Sequence, residues 1–199
     1  EKGYNVGFNL MGGSLLSLDQ INDGLKIAKK SIVDVFYLAD SFGSFYPEDI
    51  KMLMKFIKER YQGKIGIHTH DNQGMAYANT LVAIEEGVDF IDGTVTGMGR
   101  GAGNLLTEQF LLGYSNRNEK NRFKVSELMP IISNYIQPLK NKYGWGYNGT
   151  YMLSGILNIH PTYCQKLSER NTFTAKEQSL IIESIPDKYR SKFHESVLD

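Results

Sequence analysis

Four short apolar runs recur at a nearly constant interval, and this rhythm constrains the fold more than any other feature of the chain. They occupy residues 5–10, 33–39, 64–68 and 90–95, each bounded by Gly, Asp or Ser. Their starts at 5, 33, 64 and 90 lie 28, 31 and 26 positions apart. Such an interval holds one strand, its loops and one helix, the βα unit, and crossover helices force neighbouring strands to run parallel. The intervening stretches read as helices. Residues 18–30 follow a cap at Ser17 and place Ile21, Leu25 and Ala28 on one face. Residues 47–61 open on Pro47 and carry Ile50, Leu53, Met54 and Ile57 at helical spacing. Residues 75–86 repeat the pattern with Ala76, Leu81, Ala83 and Ile84, and residues 105–114 form a fourth helix after a glycine cluster. The apolar runs predict a sheet covered on both faces. Four βα units are half of an eight-unit barrel, with a small open doubly wound sheet as the alternative.

After residue 116 the rhythm stops. Residues 116–121 are polar and read as a linker, which divides the chain into a partial (β/α) barrel, 1–116, and a helical C-terminal domain, 117–199. In the second part residues 125–142 read as one helix or two, given Pro130 and Pro138, and residues 152–159 as another that ends before Pro161. Residues 174–184 and 187–197 read as two amphipathic helices split by Pro186.

Composition narrows the function. The 22 basic and 22 acidic side chains cancel, which argues against a nucleic-acid surface. A 41% hydrophobic content supports a packed core and argues against disorder. No apolar run reaches the length of a membrane span. The single cysteine, Cys164, cannot form an internal disulfide and suits a reducing compartment, the cytoplasm. The chain begins at Glu1 rather than Met, consistent with a piece of a longer polypeptide.

The residues able to carry chemistry cluster at the ends of the apolar runs. His68-Thr69-His70 puts two imidazoles on one face of a strand, where they can share a divalent metal or simply hydrogen-bond in a polar loop. Asp71 and Asn72 follow, either as supporting hydrogen-bond partners or as ordinary turn residues. Asp40, at the end of the second run, can hold a ligand, orient a histidine or cap the next helix. The run Gly97-Met98-Gly99-Arg100-Gly101-Ala102-Gly103-Asn104 is a turn or an anion-facing loop. There Arg100 can pair with a carboxylate or phosphate, and Asn104 can offer its amide oxygen to a metal. In Trp145-Gly146-Tyr147-Asn148-Gly149-Thr150-Tyr151 a tyrosine can donate a proton, or the aromatics can pack at a junction. His160, His194 and Cys164 stand apart from these clusters and read as structural.

In this order the motifs resemble the metal-dependent aldolase and lyase superfamily typified by hydroxymethylglutaryl-CoA lyase and isopropylmalate synthase. The resemblance rests on Ile67 to Asn72, Ala78-Asn79-Thr80, Glu85-Glu86-Gly87 and Asp92 to Asn104. Val6 to Met11, Ala39 to Gly43 and Gly146 to Tyr151 look most like the 4-hydroxy-2-oxovalerate aldolase branch, and the likeness runs from about residue 4 to 165. It implies a TIM barrel of which strands 5 to 8, the C-terminal half, are present. It implies that His68 and His70 ligate Mn or Mg, that Asn104 matches a further ligand, that Asp40 and Arg100 meet the substrate, and that Tyr147 or Tyr151 lines the aldol site as a catalytic group. An aspartate and an arginine of an early strand, which complete the family's site, are expected upstream of Glu1.

The implied reaction is cleavage or formation of a 4-hydroxy-2-oxo acid through a pyruvate enolate, a carbon–carbon lyase activity. The alternatives are an acyl-CoA-dependent lyase or synthase of the same superfamily and a non-catalytic assembly module. The implied partners are a small 2-oxo acid, a second copy in a homodimer and an aldehyde dehydrogenase bound through the C-terminal helices. Neither nucleic acid nor membrane is implied. Four βα units leave two open sheet edges, so the 199-residue chain on its own is expected to show no aldolase turnover.

Overall fold

The computed structural model describes residues 3–117 and 123–198. Most of the polar linker expected at 116–121 therefore lies outside the described residues. Four strands, β1 (Gly7–Leu10), β2 (Val35–Asp40), β3 (Lys64–Thr69) and β4 (Phe90–Asp92), form one parallel sheet in the order β1-β2-β3-β4. Helices α1 (Leu18–Lys29), α2 (Pro47–Arg60) and α3 (Ala76–Glu85) connect them, and α4 (Thr107–Arg117) follows β4.

Local chemistry starts each connecting helix. Ser17 and Gln20 close a reciprocal cap on α1: the Gln20 N–H donates to the Ser17 hydroxyl and the Ser17 N–H to the Gln20 amide oxygen. Pro47 occupies the first turn of α2, and Asp49 reaches back to accept from the Tyr46 N–H at 2.9 Å. Asp71 accepts from the Ala76 N–H at 3.0 Å and so starts α3. These helices lay Ile21, Leu25, Ile50, Leu53, Met54, Ile57 and Ala83 against Phe36, Leu38, Ile65 and Ile67 of the sheet. Burying one such large aliphatic side chain contributes about 1.5–3 kcal/mol.

The sheet is covered on one face rather than two. Alternation sends Phe8, Leu10, Phe36, Leu38, Ile65, Ile67 and Ile91 toward the helices. It sends Gly7, Asn9, Tyr37, Gly66, His68, Phe90 and Asp92 to the other side, where Phe90 is 39% exposed. The apolar runs contain this second set, which also holds Val35 and Ala39, at every other position, and within it Asn9, Tyr37, His68, Phe90 and Asp92 are exposed or half-buried on the uncovered face.

The C-terminal part is helical, with α5 (Val125–Ile131), a π turn (Ile132–Ile136), α6 (Gln137–Tyr143), α7 (Gly149–Ile156), α8 (Thr162–Arg170) and α9 (Ala175–Ser184). Its core gathers Tyr151, Ile159, Tyr163, Cys164, Leu167, Ile182 and Ile185 around Ala102 of the glycine loop. Helix α8 was not anticipated: Pro161 ends one expected helix and also sits at the N-terminal cap of the next. The helix expected over 187–197 reduces to two short 3₁₀ turns, Asp187–Tyr189 and Glu195–Val197. Here tertiary bonds displace helical ones. The Tyr163 hydroxyl accepts from the His194 N–H and lies 3.1 and 3.2 Å from the carbonyls of Tyr189 and Lys192. Among the described residues no helix is long and apolar enough to cross a membrane.

Candidate active site

The C-terminal end of β3 delivers His68 and, just beyond it, His70. Their rings stand 5.1 Å apart between centroids at 68°. The pleat puts both on one side, while Thr69 between them is buried and bonds to Thr80. His68 pairs with Asp92, its in-register neighbour on β4, through Nδ1 and Oδ2 at 3.2 Å. A carboxylate oxygen can only accept, so Nδ1 carries the proton and Nε2 keeps its lone pair.

The glycine loop folds back onto this strand end. The Asp71 N–H donates to Gly103, the Leu105 N–H to Thr69 and the Asn104 N–H to Gly97. Gly103 sits at φ +86, and a Cβ there would overlap the Gly97 carbonyl oxygen, so only glycine closes the loop. Asn104 is thereby paired with His70 across an isolated antiparallel bridge. Its Nδ2 donates to the Met98 carbonyl at 3.0 Å, and its Oδ1 is buried with no partner.

Burial, the neighbouring His68 and the Arg100 charge hold His70 down at about 4. The Arg100 guanidinium is itself exposed, and its charge is felt at His70, Tyr151, His160 and Cys164. Tyr151 is buried with its ring against Gly101, and burial pushes its phenol up to about 12. Tyr147, by contrast, is 85% exposed. Both tyrosines line a cavity of about 500 Å³ with Trp145, Gln165 and Glu169. Asp40 is buried, and its carboxylate accepts from the Ser44 and Phe45 N–H groups at 2.9 and 3.2 Å. Burial outweighs those bonds and raises it to about 6.

The structure thus brings His68, His70 and Asn104 together with Arg100 beside them. It sets Tyr151 behind the glycine loop, leaves Tyr147 at the surface and ties Asp40 to its own turn. His160 accepts from the Thr162 N–H and meets Phe42 edge-on. Cys164 is buried, and its thiol points to the Thr150 carbonyl. Sequence reasoning gave Asp92 no role. Its signal is positional: once parallel pairing is drawn, Asp92 falls opposite His68.

The donor set can be tested against a divalent metal from these contacts alone. Among the described residues no group of three His, Cys, Asp or Glu side chains gathers, so the third donor on offer is the Asn104 amide. Two imidazoles on one side and an orphaned buried amide oxygen suit a borderline cation such as Mn²⁺ better than Mg²⁺, which demands mostly oxygen. The residues present fit such an ion.

The HMGL-like family model matches residues 1–134. The oxaloacetate decarboxylase of Mycobacterium tuberculosis is 36% identical over 117 residues, covering 59% of this chain and 35% of that protein. The 4-hydroxy-2-oxovalerate aldolase of Bacillus thuringiensis is 31% identical over 160 residues, covering 76% of this chain and 47% of that protein. The crystal structure of the N-terminal domain of a candidate aldolase from Bacteroides vulgatus superimposes with a TM-score of 0.76 at 37% identity, covering 92% of this chain and 58% of that one. The chain spans about half or less of the length of these curated relatives.

One expectation is corrected. The matched region starts at residue 1, and the sheet at residues 7–92 lies in its N-terminal part as β1–β4. The strands are the N-terminal half-barrel of this chain and not strands 5 to 8 of a barrel. Spacing alone reports how many βα units are present, not which ones, because successive units share one geometry. With the motifs at the strand ends, the helices on one face and the match over residues 1–134, the chain belongs to the HMGL-like family.

Proposed function

We propose that this chain carries the cation-holding half of a carbon–carbon lyase that acts on a 2-oxo acid. The relatives named 4-hydroxy-2-oxovalerate aldolase and oxaloacetate decarboxylase act on substrates with one shared element. In both, the C3–C4 bond next to a keto acid breaks and its electron pair passes to C3 and the keto oxygen, the enolate of pyruvate. In the aldol case the C4 hydroxyl gives up its proton to a base as the aldehyde forms, and in both cases a proton is then delivered to C3. Only the departing piece differs, an aldehyde in one case and carbon dioxide in the other.

His68, His70 and Asn104 would hold a divalent cation, Mn²⁺ in preference to Mg²⁺. When bound, it supplies Lewis-acid stabilisation of the charge that develops on the keto oxygen. Asp92 keeps the His68 ring turned with its proton on Nδ1. Arg100 adds a fixed positive charge on the same side, suited to the substrate carboxylate. Tyr151 keeps its proton at neutral pH and so serves as a hydrogen-bond donor rather than a base. Tyr147 stands at the mouth of the adjoining cavity, where a departing aldehyde would pass.

One observation carries this reading: Asn104 Oδ1 is buried and unpartnered, on a residue whose backbone is bridged to that of His70. Mn²⁺-dependent broadening of the pyruvate methyl resonance by the chain tests it. Broadening beyond that of Mn²⁺ alone, lost in the His68→Ala/His70→Ala double variant, is expected. Broadening that persists in the double variant, or is absent from the wild type, overturns it.

A further inference from the structure

Thr96 opens the glycine loop in a conformation that its own side chain opposes. Its φ is +55 and its ψ +20, in the left-handed region. Among the described residues the other non-glycine residues at positive φ are Asn158 and Asn171, and asparagine tolerates that region. A β-branched threonine does not, so the surrounding bonds must hold it there. Two side chains do so. The Thr96 N–H donates to both carboxylate oxygens of Glu108 on α4, at 3.1 and 3.0 Å. The Trp145 indole N–H donates to the Thr96 carbonyl at 3.0 Å and lies 3.3 Å from its hydroxyl oxygen. The next residue, Gly146, donates its N–H to the Gly101 carbonyl at 3.0 Å. Residues 145 and 146 thus grip the loop at 96 and again at 101. Between these two points lie Arg100 and the carbonyls that seat Asn104: its N–H donates to Gly97 at 3.1 Å and its Nδ2 to Met98 at 3.0 Å.

We propose that Trp145 and Glu108 are positioning residues: they hold Thr96 in its left-handed turn, and the turn fixes the carbonyls on which Asn104 is seated. This rests on the proposed cation site, since the group so held is the Asn104 amide oxygen. Neither Trp145 nor Glu108 is among the proposed ligands. The site nevertheless depends on a residue 49 positions along the chain from Thr96. Thr96 is buried, so water does not take over when one of its partners is removed. A tryptophan that merely fills space would act through its ring, whereas this one acts through its N–H.

The test uses the full chain and two readings: titration with MnCl₂, and amide hydrogen exchange of the metal-free protein resolved by ¹⁵N spectra. Trp145→Phe keeps an aromatic ring and deletes the donor. It should weaken Mn²⁺ about 2–10-fold, the factor that matches the loss of one hydrogen bond. It should also speed exchange of the Asn104 N–H while the amides of α2 keep their wild-type rates. Glu108→Ala should act the same way, and Glu108→Gln, which retains one acceptor, should fall between it and the wild type. Thr96→Gly separates positioning from packing, because glycine takes this φ without help. In the Thr96→Gly chain, Trp145→Phe should leave Mn²⁺ affinity and Asn104 exchange within about twofold, less than one hydrogen bond is worth. Wild-type affinity and exchange in Trp145→Phe, or equal losses with and without Thr96→Gly, would overturn the inference while the cation site stands. A wild type that takes up no Mn²⁺ would sink the cation site, and Asn104 exchange across the same chains then decides the positioning role by itself.

Discussion

His70 and Asn104 face each other across an antiparallel bridge that joins the end of β3 to the glycine loop. The bridge takes two residues 34 positions apart and gives them one environment. In it an imidazole is kept neutral and an amide oxygen has no donor to meet.

Asn104 therefore separates a ligand role from a structural one. Asn104→Ala should weaken Mn²⁺ binding at least tenfold in a calorimetric titration. Losing the bond to the Met98 carbonyl should cost only about 0.5–1.5 kcal/mol in urea unfolding. Asn104→Asp keeps an oxygen at that place and should retain Mn²⁺ binding. Equal loss of binding in both variants would assign Asn104 to loop structure alone.

Gly103 tests how the loop is closed. Gly103→Ala adds a Cβ at φ +86 against the Gly97 carbonyl, and should destabilise the fold by about 1–3 kcal/mol while reducing Mn²⁺ affinity. Urea midpoints together with the same titration measure both effects. A variant of unchanged stability and affinity would mean that the loop closes another way.

Asp40 supplies a pH dependence whose sign is fixed by its raised value. In the unfolded chain it ionises near 3.8, in the fold near 6, so between those values the folded state binds more protons. Its contribution to stability is full below about 3.8 and is lost as pH rises through about 6. The stability of the wild type relative to Asp40→Asn should fall across that window and level off above it, read by urea unfolding at several pH values. A difference that rises with pH would show that the two backbone N–H donors outweigh burial.

Cys164 should behave as an inert thiol. It is buried, bonds to the Thr150 carbonyl, and burial pushes it up to about 11. Alkylation by iodoacetamide at pH 8 should be negligible in the native chain and rapid in urea. Fast native alkylation would show that the C-terminal core opens.

How far the sequence could be read follows from where each signal resides. The four strands, their parallel order and helices α1 to α3 were legible because local periodicity and caps such as Ser17 and Pro47 coincide with the tertiary answer. The clustering of His68, His70 and Asn104 was accessible through motif order. Asp92 was not, since its contact with His68 depends on strand register, which a single strand's pattern does not encode. The uncovered face was hidden because Tyr37, Gly66 and Phe90 count as apolar or neutral in a window average. Helix α8 and the irregular 187–197 segment depend on Pro161 and on Tyr163 reaching distant carbonyls, and neither leaves a periodic trace.

The most direct measurement is Mn²⁺ binding to the wild-type chain and to the His68→Ala/His70→Ala double variant, followed by the electron paramagnetic resonance of the free ion. Depletion of the free-ion signal by the wild type, and its full return with a double variant of native circular dichroism, is the expected result. Equal depletion by both proteins would place the ion elsewhere and contradict the central claim.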